Sequence, residues 1–401
     1  MRVISDLHIH SRFSRATSKF LNIPNLEKWA KIKGIDLLGT GDFTHPSWFK
    51  ELKENLQEED GILKTKGGYS FIFQTEISLM YSQDGRGRRV HLIILAPNFE
   101  TVQQINEYLG RKGRLDYDGR PIFNISCPEL TENLNSISKE IEIIPAHAWT
   151  PWFGVFGSMS GFDSMEEAFK DQVKNIHAFE TGMSSDPEMN WRLSKLDKFS
   201  IVSFSDSHSF WPWRLGREAT AFDIKKLSYK EIIHAIRENK IEFTIETSPS
   251  YGKYHFDGHR SCKFSCSPKE AAKLNNICPV CKKPLTIGVL DRVEKLADRP
   301  GGFRPKNAKD FKSILPLSEL IAVLRKWPLE SKKVMAEYEK IVNASSEFKI
   351  LLETSSEDLS SITDDKLAKL IMLNRVGKIK VKPGYDGVYG VLEIEEQKKL
   401  F

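Results

Sequence analysis

Between residue 1 and about residue 245, short apolar runs alternate with stretches whose apolar positions recur at helical spacing. RVIS, IDLLGT, YSFIFQT, VHLIIL, IEIIPA, NIHAF and FSIVSF read as strands, and NLEKWAKIKG, FETVQQINEYLG and PEMNWRLSKL between them read as helices. Such alternation predicts an α/β domain with a largely parallel sheet. VHLIIL is the exception, because the DGRG before it looks like a hairpin tip that turns the chain back antiparallel. Beyond about residue 313 the pattern changes. LSELIAVLRKW, SKKVMAEYEKIV and DDKLAKLIMLNRV predict three helices, and GKIKVKPGYDGVYGVLEI predicts a hairpin around YDG.

The polar residues that end the first seven runs change this picture from a fold to a chemistry. RVIS leads into Asp6, His8 and His10; LLGT into Asp42 and His45; FIFQT into Glu76; IIPA into His147; IHAF into Glu180; and IVSF into Asp206 and His208. His91 lies in the returning arm of the hairpin that Glu76 starts. Histidines two apart on a strand point to the same side, so His8 and His10 can converge on one ion. In barrels of parallel strands the C-terminal strand ends share one rim, where such groups gather. Ligand residues at nearly every strand end predict a metal centre.

A chain of 401 residues exceeds one ordinary core, and 40% apolar with 28% charged residues describes a globular protein. No run of eighteen apolar residues occurs, and the first strand starts almost at Met1, so a cytoplasmic protein is expected. The net charge of +5 is unevenly spread. Residues 1–250 carry 31 Lys and Arg against 34 Asp and Glu, whereas the remainder carries 28 against 20. A basic appendage on a near-neutral body points to a polyanion partner. Four of the five cysteines, Cys262, Cys266, Cys278 and Cys281, form a CxxxC and a CxxC. That spacing suits a tetrahedral zinc-thiolate site and is the wrong context for disulfides. Lysines and arginines flank it, so the expected organisation is a barrel over 1–245, a basic zinc module over 246–312 and a mainly helical domain with a terminal hairpin over 313–401.

DLHIH, the TGD of LLGTGDFTH, Glu76, VHLI, PAHAW and SDSH, in this order, resemble the motifs of the polymerase and histidinol phosphatase (PHP) superfamily of metal-dependent phosphoesterases. The resemblance implies a distorted seven-stranded β/α barrel with two or three divalent ions at its rim, Zn, Mn or Mg. It implies His8, His10, Glu76 and Asp206 around one ion and Glu76, His91 and His147 around a second, with Glu76 as the bridge. Glu76, Asp206 and His147 would then be catalytic. His208 matches a third-site ligand, and His45 is a candidate replacement ligand where the family's TDH reads Asp42-Phe43 here. Arg15 stands where many members carry an acidic residue or histidine, and would offer its charge to a phosphate.

With the four-cysteine module and the C-terminal domain included, the whole chain resembles the endonuclease Q family, archaeal and sometimes bacterial enzymes of DNA repair. This implies metal-dependent cleavage of double- or single-stranded DNA on the 5′ side of hypoxanthine, uracil, xanthine or an abasic site. Trp149, Trp152 and Phe153 follow His147, and Trp211, Trp213 and Arg214 follow His208, so these are the candidates to wedge a duplex or wall a base pocket. Gln397 and Leu400 near the end resemble the start of a sliding-clamp-binding peptide, without the aromatic pair that such peptides carry. Two other readings use the same motifs: a phosphomonoesterase acting on a small metabolite, and a nucleic-acid-binding protein with a degenerate barrel.

Overall fold

Seven strands close into a ring in the computed structural model, which describes residues 1–393; Gln397 and Leu400 lie outside the described residues. Arg2–Asp6 pairs in parallel with Leu37–Gly39, which pairs in parallel with Ser70–Gln83. Ser70–Gln83 and Arg86–Ala96 form a long antiparallel hairpin, and Glu142–Pro145 pairs antiparallel with the latter. Ala148 N–H donates to Glu180 O at 2.9 Å, which joins that side to the parallel pair Ala178–Glu180 and Ser200–Val202. A bridge between Ile9 and Ser207 returns the ring to the first strand. Val3, Leu37, Ile72, Ile93, Ile144, Ala178 and Val202, one from each ring strand, are fully or almost fully buried and belong to one cluster. Burial of each of the larger ones contributes about 1.5–3 kcal/mol.

The sheet is mixed rather than largely parallel. Asp84 and Gly85 both have positive φ, 52° and 72°, the geometry of a two-residue hairpin turn, so the DGRG segment reverses the chain as expected. Outside the ring, Ala219–Asp223 pairs antiparallel with the first strand, Ile241–Glu246 pairs antiparallel with Ala219–Asp223, and Asp310–Ser313 adds in parallel to Ile241–Glu246. The cysteine-rich segment therefore leaves the barrel sheet and comes back to it.

Among the described residues beyond 313 there are five helices where three were expected: Leu317–Arg325, Lys332–Val342, Glu347–Leu352, Ser356–Ile362 and Asp365–Arg375. The two additional ones are six and seven residues long, too short to register as a period. The helical region packs on the barrel through a shared apolar cluster and one buried ion pair. Lys33 Nζ, on the helix Ile23–Lys33, lies 2.8 Å from Glu347 Oε1 and 2.7 Å from Pro212 O. Glu347 is also bonded by Tyr338 Oη at 2.7 Å and Leu317 N–H at 2.9 Å, so every charge there is compensated. Lys33→Met should cost about 3–5 kcal/mol by stranding that carboxylate, read as a lowered unfolding midpoint in urea; an unchanged midpoint would refute the pair's importance. No helix among the described residues is long and apolar enough to cross a membrane.

Candidate metal centre

His8, His10, His147 and Asp206 follow strand ends, Glu76 and His91 lie inside the hairpin strands Ser70–Gln83 and Arg86–Ala96, and all six come to one place. His8, His10, Glu76 and Asp206 form one group of candidate ligands, and Glu76, His91 and His147 form a second that shares the glutamate. Glu76 is fully buried, with His91 Nδ1 2.7 Å and His147 Nε2 3.1 Å from its Oε1, and His10 Nε2 3.3 Å from its Oε2. Asp206 Oδ1 lies 3.1 Å from His10 Nε2 and 3.6 Å from His8 Nε2. Asp42, His147 and Asp206 all hold positive φ, at 44°, 30° and 47°. Non-glycine residues pay about 1–3 kcal/mol for such backbone, and strain of that kind gathers at functional sites.

Glu180 and Asp42, which end their apolar runs beside the ligand residues, both take the rear nitrogen of a histidine. Glu180 Oε1 lies 3.0 Å from His8 Nδ1 and its Oε2 accepts from His147 N–H at 2.6 Å. Asp42 Oδ1 lies 3.0 Å from His10 Nδ1, and its other oxygen accepts from Ser11 N–H, Ser11 Oγ and Ser14 Oγ. Both imidazoles thus turn Nε2 inward, as metal-binding histidines do. His8 Nε2 is buried and has no hydrogen-bond partner among the described residues. A buried nitrogen left without a partner, aimed at two carboxylates, fits a divalent cation. Histidine-rich donor sets of this kind favour transition metals over Mg.

The electrostatics agree. Burial opposes the charge on His8 and His10, yet the carboxylates of Glu180 and Glu76 at the one, and of Asp42, Asp206 and Glu76 at the other, hold both imidazoles well above their usual range. Burial also opposes charge on Glu76 and Asp206, but neighbouring histidines, and Arg120 at Glu76, hold both well below the usual carboxylate range. Burial pushes His91 down to about 4. A cation entering this site must displace protons from His8 and His10, whose raised pKa keeps them bound to higher pH. Apparent affinity for Mn or Zn should therefore weaken as pH falls from 8 to 6, with proton release seen by calorimetry in buffers of different ionisation enthalpy. Affinity that ignores pH would refute this assignment.

Arg120, which the sequence pattern did not single out, enters the centre instead of Arg15. Its Nη1 lies 2.9 Å from Glu76 Oε2. Gly119 permits this approach, since a Cβ there would collide with the Asp42 carboxylate and Ser14 Oγ. The Arg15 side chain is 72% exposed and pairs with Asp118 at 3.3 Å, outside both ligand groups. His208 stands beside the first group, its ring 4.5 Å from that of His10, without belonging to it. His45 is also outside, stacked 4.3 Å from Phe13.

A cavity of about 340 Å³ opens on His91, His147 and Asp206 and is lined by Trp152 and Phe153, within the range of small-ligand sites. The other aromatic candidates lie elsewhere. Trp149 is buried and its Nε1 donates to Asn190 Oδ1 at 2.7 Å. Trp211 and Trp213 stack on each other at 5.3 Å, with Trp29 against the former. Arg214 does not line the cavity, whereas Arg217, Lys253, Tyr254 and Tyr389 do.

In the module, His259, Cys262, Cys278 and Cys281 bring their ligand atoms within 4.8 Å of one another, and Cys266 of the expected four-cysteine set lies outside this group. Cys266 ends the strand Phe264–Cys266 and is buried in a small core with Ala271, Cys278 and Leu285, where burial pushes its thiol up to about 11. His259 lies on the facing strand Asp257–His259, with Nδ1 3.5 Å from Cys281 Sγ. His259→Ala should release one zinc per chain and Cys266→Ser should retain it, as measured by metal analysis; the reverse order would restore the four-cysteine set.

No family model matches the chain. It is 30% identical over 295 residues to the uncharacterized protein MJ0043 of Methanocaldococcus jannaschii, an alignment covering 72% of the chain and 36% of the relative, so the chain spans about a third of that protein's length. YqxK of Bacillus subtilis is 25% identical over 414 residues, covering 98% of the chain and 99% of the relative. The lesion-specific endonuclease PfuEndoQ from Pyrococcus furiosus superposes with a TM-score of 0.88 at 31% identity, over 100% of this chain and 99% of that one. An endonuclease Q in complex with a 27-mer duplex substrate carrying an abasic lesion at its active site superposes equally, at 32% identity over 99% and 98%. The likeness to both solved structures runs end to end at 31% and 32% identity, and the chain belongs to the endonuclease Q family.

Proposed function

We propose that the protein is a metal-dependent DNA repair endonuclease that cuts the phosphodiester on the 5′ side of deaminated bases (hypoxanthine, uracil and xanthine) and of abasic sites. The observation that carries this reading is the shared Glu76: two ligand groups meet at one buried carboxylate, directly below a cavity walled by aromatic and basic side chains. End-to-end likeness to lesion-specific endonucleases supports it.

Under this reading, His8, His10, Glu76 and Asp206 hold one divalent ion and Glu76, His91 and His147 hold another, while His259, Cys262, Cys278 and Cys281 hold a structural zinc. Paired ions of this kind activate water and neutralise the developing charge of an in-line displacement. Glu180 and Asp42 fix the histidine tautomers by occupying their Nδ1 atoms. Asp206, whose side chain is 30% exposed toward the cavity, orients the attacking water. Arg120 supplies a fixed cation for a non-bridging phosphate oxygen. Water adds to phosphorus and the P–O3′ bond breaks, leaving a 3′-hydroxyl and a 5′-phosphate. A deaminated base pairs poorly and is cheaper to extrude from the stack, which favours the lesion strand.

The test is metal-dependent nicking of abasic, deoxyinosine, deoxyuridine and undamaged duplexes beside turnover of a small phosphomonoester. Nicking confined to lesion strands supports the reading. Efficient phosphomonoester turnover without DNA cleavage would replace it with the metabolite phosphatase.

A further inference from the structure

The loop that follows His147 is held from two sides. On one side it continues the barrel sheet. Glu142–Pro145 pairs with Arg86–Ala96 only as far as Leu92, and past that point the loop takes over. His91 N–H donates to Phe153 O at 2.9 Å and Arg89 N–H to Ser160 O at 3.3 Å. The Phe153 ring also lies 4.3 Å from the His91 ring. Phe153 holds a φ of 65°, backbone that a non-glycine residue keeps only where its surroundings enforce it. The loop thus seats His91, a ligand of the second group, through both backbone and ring.

On the other side the loop is held by Arg292, which belongs to the cysteine module. Its Nε donates to Phe156 O at 3.0 Å, and its Nη2 donates to Phe162 O at 3.0 Å and meets Asp163 Oδ1 at 2.6 Å. The planar fork of a guanidinium can hold three such acceptors at once. Phe156 and Phe162 are buried, and without the fork their carbonyl oxygens would lose these donors. Arg88, on the barrel hairpin, also donates to Gly161 O, so part of the grip is independent of the module. Arg292 stands on the helix Val289–Leu296, whose start is fixed to Asp257–His259, the strand that carries His259. Gly288 N–H donates to Asp257 Oδ1 at 2.6 Å, and Thr286 and Gly258 exchange backbone bonds at 2.8 and 3.1 Å. Covalent and hydrogen bonds therefore run without a break from His259 in the module, through Arg292, to His91 in the barrel.

Resting on the endonuclease reading above, we infer that Arg292 is a positioning residue through which the zinc module holds the loop against His91. The folded module then sets the geometry of a barrel ligand, apart from any grip it has on DNA. Release of the loop would free the His91 ring and backbone from Phe153 and slow the chemical step, with little effect on how the duplex is held.

Amide hydrogen exchange, which needs neither DNA nor turnover, is followed on the full chain across residues 150–163. Arg292→Ala should speed exchange there about tenfold. Arg292→Lys, with one ammonium in place of the fork, should recover part of the protection. His259→Ala, by emptying the module, should speed the same segment. Combined with Arg292→Ala it should add little, because the path is already cut. On the abasic duplex Arg292→Ala should lower kcat about tenfold with KM within about twofold of the parent, whereas loss of a DNA contact would raise KM. Should Arg292→Ala not fold, Arg292→Lys and His259→Ala carry the same comparison. Exchange at the parent rate, additive effects of the two substitutions, or an unchanged kcat would each overturn the coupling. Failure of the parent protein to nick the abasic duplex overturns the endonuclease reading instead, and the exchange measurements then decide the coupling alone.

Discussion

Glu76→Gln should lower nicking at least ~10³-fold and strip metal from the barrel, while affinity for duplex DNA stays within a few fold. Glu76 is the only residue common to both ligand groups, and both of its oxygens are engaged by histidines. The amide keeps the shape but removes the negative charge and one acceptor, so each ion would lose its shared carboxylate. The basic groups around the cysteine module and cavity are untouched, which is why DNA affinity should persist. Metal analysis, anisotropy and a nicking assay on one preparation separate these effects. Retained activity with full metal content would refute the bridging role.

Arg120→Ala should lower kcat about 10²-fold, the scale of losing one preorganised donor to developing charge. Arg120 reaches Glu76 at 2.9 Å, and burial and the carboxylates of Glu76 and Asp206 surround its guanidinium. Glu76 keeps its histidine contacts without it, so the expected metal content is unchanged. Arg120→Lys should recover part of the rate, because it restores charge without the forked geometry. Metal loss parallel to the rate loss would show that Arg120 acts only by holding Glu76.

The ligand histidines and carboxylates were legible because each adjoins an apolar run, although Glu76 and His91 lie inside their strands rather than at the ends. Six of the eight named barrel ligands, all but His45 and His208, fall into the two ligand groups. Arg120 left no such signal. It stands in RKGRLDYDGRP, a segment without period, and reaches the site only because Gly119 lets the loop descend on Asp42. His259 was hidden by its neighbours, since four cysteines complete a tetrahedral count before any histidine is considered. The parallel-sheet expectation failed beyond the foreseen hairpin, because Glu142–Pro145, Ala219–Asp223 and Ile241–Glu246 also pair antiparallel with their neighbours. Trp149, Trp211 and Trp213 show the limit of position along the chain: each follows a ligand strand, yet all three satisfy packing or stacking demands away from the cavity. Tyr389 could not be placed in advance, because its contact with Lys253 spans the whole second half of the fold.

The most direct test is to map the cut. A duplex labelled at either end and carrying one deoxyinosine, deoxyuridine or abasic site is incubated with the metal-loaded protein, and the fragments are sized beside a sequence ladder. The account predicts a single nick at the phosphodiester immediately 5′ of the lesion, a 3′-hydroxyl that a polymerase extends, a 5′-phosphate that a ligase accepts, and little cutting of the matched undamaged duplex. Incision 3′ of the lesion, release of a free base, or equal cutting of undamaged DNA would contradict it.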